Sequence, residues 1–102
     1  MSTLPTGVVT FLFTDIEGST KLWATNPDSM RIALEHHDAI IRDLIKREDG
    51  HIFATAGDSF AAAFQQPANA VAAAIAMQKE FHRTEWPHDL PIRVRIDRKS
   101  VV

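Results

Sequence analysis

The first continuous apolar run is Val8 to Phe13, inside VVTFLFTDIEGST, residues 8–20. It is rich in β-branched and aromatic residues and lacks strict alternation, which predicts a strand over Val8–Thr14 buried on both faces. The run stops at Asp15 and turns at Gly18 into two hydroxyls, Ser19 and Thr20. That combination opens a helix and points free backbone N–H groups outward. A short helix is expected over Ser19–Ala24, with Leu22 and Trp23 covering the sheet. Asn26-Pro27-Asp28 reads as a turn or cap. Beyond it Met30, Ala33, Leu34, Ile40, Ile41, Leu44 and Ile45 recur at intervals of three and four, with His37 filling the gap. This is one face of a long amphipathic helix. Gly50 is its expected stop, as the left-handed residue past a helix end.

His51–Thr55 and Ser59–Phe64 then predict a hairpin with Gly57-Asp58 near its tip. Pro67 suits the first position of a helix. An alanine-rich helix follows over Ala68–Phe81, with Val71, Ala74, Ile75, Gln78 and Phe81 on or near one face. Trp86-Pro87 and Leu90-Pro91 bracket a loop. Ile92, Val94 and Ile96 alternate with Arg93 and Arg95, a half-buried edge strand whose arginines are expected at a solvated sheet edge. The order is βααββαβ, an α+β plan of the ferredoxin-like or palm type. It predicts a four-stranded, mostly antiparallel sheet of order 4-1-3-2 with the helices on one face. The end of the first strand then lies beside the hairpin tip, so Asp15 and Asp58 become neighbours at one sheet edge.

Length and composition narrow the classes. The chain has 102 residues, room for one domain, and is 45% hydrophobic. Its formal charge of −2 and the lack of a basic block argue against a nucleic-acid partner. There is no cysteine, which excludes disulfides, thiolate zinc sites and cysteine nucleophiles. No apolar stretch approaches the ~20 residues that span a bilayer. MSTLPTG at residues 1–7 lacks the basic and apolar regions of a signal peptide and is expected to be a flexible lead-in. The expected location is the cytoplasm.

Paired carboxylates beside a helix N-terminus suit magnesium and phosphate, because magnesium takes one or two carboxylates and completes its shell with phosphate and water. Alone, Asp15 is an ordinary helix cap and Asp58 an ordinary turn residue; their convergence favours a site. Other candidates are weaker. His36 and His37 are adjacent on a helix, diverge by about 100° and are expected in solvated or half-buried roles. His51, His82 and His88 have no partners at metal spacing. Trp23 and Trp86 read as core or loop anchors. Glu17 is expected to serve as charge near the helix N-terminus or behind the metal ligands.

FLFTDIEGST and GHIFATAGDSFAAAF resemble the two metal-binding motifs of the class III nucleotidyl cyclase domain, the adenylate and guanylate cyclases, in its bacterial, actinobacterial style. QPANAVAAAIAMQ resembles the helix that follows, and the resemblance runs from Val8 to Ile96. The phosphate loop of the Walker type, GxSxG and HExxH are absent. The resemblance implies that Asp15 and Asp58 are catalytic and hold two ions, Mg2+ or Mn2+, with the Ile16 carbonyl as a further ligand. It implies that Glu17, Gly18, Ser19 and Thr20 cradle the triphosphate of ATP or GTP. One metal activates the ribose 3′-hydroxyl and the other neutralises the phosphates and departing pyrophosphate. It implies a homodimer in the full-length protein.

The chain departs from the family in two places. Many members carry a base-reading lysine four residues before the second metal acid, where this chain has Ala54. After Ile96 the family continues with a glycine and a polar turn, then an arm, a helix and strands bearing transition-state residues. This chain instead has DRKSVV, residues 97–102, which looks like a translated library adapter, the alternative being an ordinary charged C-terminus. These six residues are expected to be an artificial or truncated tail, residues 8–96 a partial cyclase domain, and the fragment inactive by itself. A degenerate cyclase fold serving as a nucleotide-sensing or dimerisation module is the alternative. A diguanylate cyclase is disfavoured by the missing GGDEF-type hairpin.

Overall fold

Strand β1, Val9–Ile16, is the axis of the molecule in the computed structural model, which describes residues 8–101. It is followed by helices α1, Ser19–Thr25, and α2, Pro27–Arg47, then strands β2, His51–Ala56, and β3, Ser59–Phe64. Helix α3, Pro67–Arg83, a short 3-10 turn at Pro87–Asp89 and strand β4, Val94–Val101, complete it. The sheet order is β2-β3-β1-β4 and every neighbouring pair is antiparallel, which is the expected 4-1-3-2 topology. The expected lead-in at residues 1–7 and the final Val102 lie outside the described residues. Residues 97–101 extend β4 along β1, pairing Asp97 with Phe13 and Val101 with Val9.

The core lies on one face. Leu12 and Ile16 of β1 join Phe60, Ala62 and Phe64 of β3, and α2 and α3 close over them with Met30, Ala33, Ile41, Ile45, Ala70, Ala73, Met77 and Phe81. Burying one large apolar side chain contributes about 1.5–3 kcal/mol, so this cluster is the main source of stability. The opposite face of the sheet is open. Buried Thr10, Leu12, Thr14 and Ile16 alternate along β1 with less buried Val9, Phe11, Phe13 and Asp15. The expectation of a strand buried on both faces is therefore corrected. No described element covers the second face, and its phenylalanines pack on one another, Phe11 with Phe13 at 6.2 Å and with Phe53 at 5.6 Å between ring centroids. Phe53 is the extra residue where the β2–β3 register shifts between Ile52 and Ala54.

Four further expectations change. The left-handed residue ending α2 is Asp49 (φ 59°), not Gly50. Amide bonds from Asp49 to the Lys46 carbonyl (3.2 Å) and from Gly50 to that of Ile45 (2.9 Å) close the helix end. Gly50 is required for space, since a Cβ there would lie 2.6 Å from the Phe64 ring. On α3 the buried stripe is Ala70, Ala73, Met77 and Phe81, while Ile75 is exposed. Alanines let α3 approach closely, so the small residues face the core, and Gln78 Nε2 reaches out to the Val94 carbonyl at 3.1 Å. Trp23 is exposed, and Leu22 alone of that pair packs on the core. His37 is fully buried rather than solvated or half-buried. Its ring stacks on Phe81 at 5.6 Å, and Nδ1 pairs with the Asp38 carboxylate at 2.8 Å.

Candidate functional site

The site forms where β1 ends against the hairpin tip. Gly57, in the left-handed region at φ 58°, turns the chain between β2 and β3 and delivers Asp58 to that edge. The Ile16 amide donates to Asp58 Oδ2 at 2.5 Å, and the Ser19 hydroxyl donates to Asp58 Oδ1 at 3.2 Å. The side chain of Ile16 is in the core while its amide holds the acid, so packing fixes the chemistry's position. Gly18 (φ 66°) turns β1 into α1, and the first bond of that helix runs from the Leu22 amide to the Gly18 carbonyl. The amides of Ser19 and Thr20 therefore precede the helical ladder. The Glu17 amide is already used, donating to the Arg93 carbonyl at 2.7 Å, and the Glu17 side chain is exposed.

Asp15, half-buried on the open face, lies opposite Arg95 of β4 in register. Arg95 Nε donates to Asp15 Oδ1 at 2.8 Å and Nη2 to Oδ2 at 2.7 Å, a fork that engages both carboxylate oxygens. Arg95 thus lies at the solvated sheet edge, as expected, with its guanidinium paired to a carboxylate. The Arg95 hydrogen bond, aided by the guanidinium charge and opposed by burial, holds the Asp15 carboxyl below the ordinary aspartate value of 3.8. Asp15 in turn raises Arg95, and the charges of Glu17 and Asp58 add to it. Asp15, Glu17 and Asp58 thus all act on one guanidinium, a cluster of negative potential at the sheet edge. Among the described residues no group of three or more His, Cys, Asp or Glu is arranged to hold a metal.

Beside Asp15 a cavity of about 470 Å³ runs over the open face, lined by Phe13, Ala54, Thr55, Ala56, Ala61 and Ile96 together with Asp15 and Arg95. That volume is within the range of small-ligand pockets. The structure brings Asp15, Ile16, Ser19 and Asp58, expected from the motifs and the resemblance they carry, to one edge, and adds Arg95 as the partner of Asp15. The signal was there in the alternation of Arg95 with Val94 and Ile96, but only the β1–β4 register shows that it faces Asp15.

A sequence model described as the adenylate and guanylate cyclase catalytic domain matches residues 1–97. The chain is 48% identical over 82 residues to the receptor-type adenylate cyclase GRESAG 4.3 of Trypanosoma brucei brucei, covering 80% of this chain and 7% of that protein. It is 38% identical over 86 residues to an adenylate cyclase of Lachancea kluyveri, covering 84% of this chain and 5% of the other. Among solved structures, a Trypanosoma brucei adenylate cyclase in its monomeric state superposes with a TM-score of 0.86 at 33% identity, over 95% of this chain and 58% of that one. The chain belongs to the adenylate and guanylate cyclase catalytic domain family. It spans less than a tenth of these curated relatives and somewhat over half of the solved domain. No helix among the described residues is long and apolar enough to cross a membrane.

Proposed function

We propose that this chain carries the metal- and triphosphate-binding half of a nucleotidyl cyclase site, which converts ATP, or GTP, to the cyclic nucleotide and pyrophosphate in intracellular signalling. The observation that carries this is the Ile16 amide bond to Asp58, which brings the hairpin acid to the strand end that bears Asp15. The donor chemistry fits magnesium or manganese: two carboxylates and a backbone carbonyl are hard oxygen ligands, few enough to leave room for phosphate and water. Asp15, Asp58 and the Ile16 carbonyl would hold the ions. Two such ions supply activation of the ribose 3′-hydroxyl and neutralisation of the leaving pyrophosphate.

The chain's own residues do the rest of this half. Ser19 orients Asp58 through Oδ1. The amides at Gly18, Ser19 and Thr20 meet phosphate oxygens at the start of α1. Phe13 and Ala54 offer the base an apolar wall that excludes water. The open face, with Phe13 and Phe53 exposed, suits closure by a second cyclase domain, in a homodimer of the full-length protein.

The test is nucleotide binding by a polypeptide of this sequence, followed by calorimetry with ATP and with GTP in magnesium. Magnesium-dependent binding that is lost in Asp58→Ala and in Asp15→Ala is expected, with no measurable cyclic AMP or cyclic GMP. Binding indifferent to both substitutions overturns the site. Ala54 favours a second reading, a nucleotide sensor without catalysis, because this cavity residue has no donor for a base. Ala54→Lys in the full-length protein separates the two: a rise in cyclisation supports the enzyme, and unchanged inactivity supports the sensor.

A further inference from the structure

The hairpin that carries Asp58 has little holding it at its tip. Every residue from Phe53 to Gly57 is exposed, and a Cβ at Gly57 would meet nothing within 4 Å. Phe60 is the first buried residue after the tip. It lies in register with Thr55 of β2 and with Thr14 of β1, the residue before Asp15. Helix α2 reaches this one ring twice. The Arg42 guanidinium carbon sits over it, 5.2 Å from the centroid, and the His37 ring lies 5.9 Å away. His37 is itself fixed, stacked on Phe81 with 15° between the planes and tied through Nδ1 to Asp38. A ring held in this way cannot slide along the sheet without dragging the turn behind it. Magnesium demands near-ideal octahedral geometry, so a small displacement of a ligand counts. Resting on the metal-site reading above, we infer that Phe60 is a positioning residue for Asp58, and that Arg42 and His37 of α2 set the acid's place through this ring.

Two readouts on the full chain test this. The NMR coupling across the hydrogen bond from the Ile16 amide to the Asp58 carboxylate reports where the acid sits, with or without metal. Loss of the free-ion resonance of Mn2+ reports metal binding. Arg42→Ala changes an exposed residue and leaves the Phe60 ring in place. It is expected to shrink the coupling and to weaken Mn2+ binding roughly two- to fivefold, the scale of an exposed contact between a cation and a ring. Arg42→Lys, which keeps a cation there, is expected to restore part of both. Phe60→Leu is expected to lose more of both. Phe64→Leu alters another buried ring on the same strand and is expected to lower stability with the coupling unchanged. A coupling unmoved in Arg42→Ala and Phe60→Leu, or moved as far in Phe64→Leu, overturns the positioning role. A coupling that shrinks with no loss of Mn2+ overturns it too, provided Asp58→Asn abolishes Mn2+ binding. If Asp58→Asn binds Mn2+ as wild type does, the metal-site reading falls, and the coupling alone decides whether α2 positions Asp58.

Discussion

The two faces of the sheet are built from alternate residues of the same strands, yet they answer to different constraints. On the helix-covered face Leu12, Phe60 and Phe64 are 1%, 3% and 0% exposed. On the open face Phe13 and Phe53, equally large and apolar, are 41% and 48% exposed. The covered face is complete within the chain: every position is set by what the helices press against it. The open face has no described element over it, and Asp15 and Arg95 sit on it. Ile16 joins the two, since its side chain belongs to the core and its amide holds Asp58.

The sharpest way to break this contrast is to truncate one phenylalanine on each face. Phe64→Ala opens a cavity in the core and is expected to cost about 3–5 kcal/mol, measured by urea unfolding. Phe13→Ala removes a side chain that water already touches and is expected to cost under ~1 kcal/mol. Equal losses would mean that the open face is covered in solution, which the dependence of stability on protein concentration would then reveal.

A smaller effect tests how tightly the covered face is filled. Gly50→Ala places a methyl group 2.6 Å from the Phe64 ring and 2.7 Å from Ile45 Cγ2. Both neighbours are buried core residues, so the substitution is expected to cost about 1–3 kcal/mol. Asp49→Gly, at the left-handed position beside it, is expected to be neutral or slightly stabilising. The reverse ranking would restore Gly50 as the conformational stop that its sequence position suggests.

Those cases show what was legible beforehand. Element order, the 4-1-3-2 sheet and the meeting of Asp15's strand end with Asp58's turn follow from local signals: periodicity on α2, proline at the start of α3, glycine at the hairpin tip. What escaped depends on which face a residue takes once a partner element is docked. The apolar run of β1 looks alike whether one side or both are covered, because half-buried Phe11 and exposed Phe13 are as hydrophobic as buried Leu12. On α3 nearly every candidate position is alanine or aliphatic, so the stripe's rotation is decided by close approach to the sheet. The partner of Arg95 escaped for a related reason: no tight turn joins β1 to β4, and only long-range register shows that it pairs with Asp15.

The smallest expected effect belongs to that pair and separates the faces by their response to acid and salt. Asp15 titrates below 3.8 in the folded chain because Arg95 bonds and attracts its ionised form. In the unfolded chain the fork is lost and the carboxyl returns to its ordinary value. The unfolded state therefore takes up this proton first as pH falls. The stabilisation is complete above about pH 4 and is lost as pH drops through the lowered folded value. It is modest, because the pair is partly solvated, and it shrinks as salt screens it. Carboxyl chemical shifts followed by NMR are expected to place the Asp15 midpoint below 3.8 in wild type and nearer 3.8 in Arg95→Ala. In Phe64→Met, which leaves the open face intact and keeps the chain folded, the midpoint is expected to stay where it is in wild type. A midpoint unmoved by loss of Arg95 would mean that the fork does not persist in solution. A midpoint shifted as much by Phe64→Met would mean that the two faces are not separable.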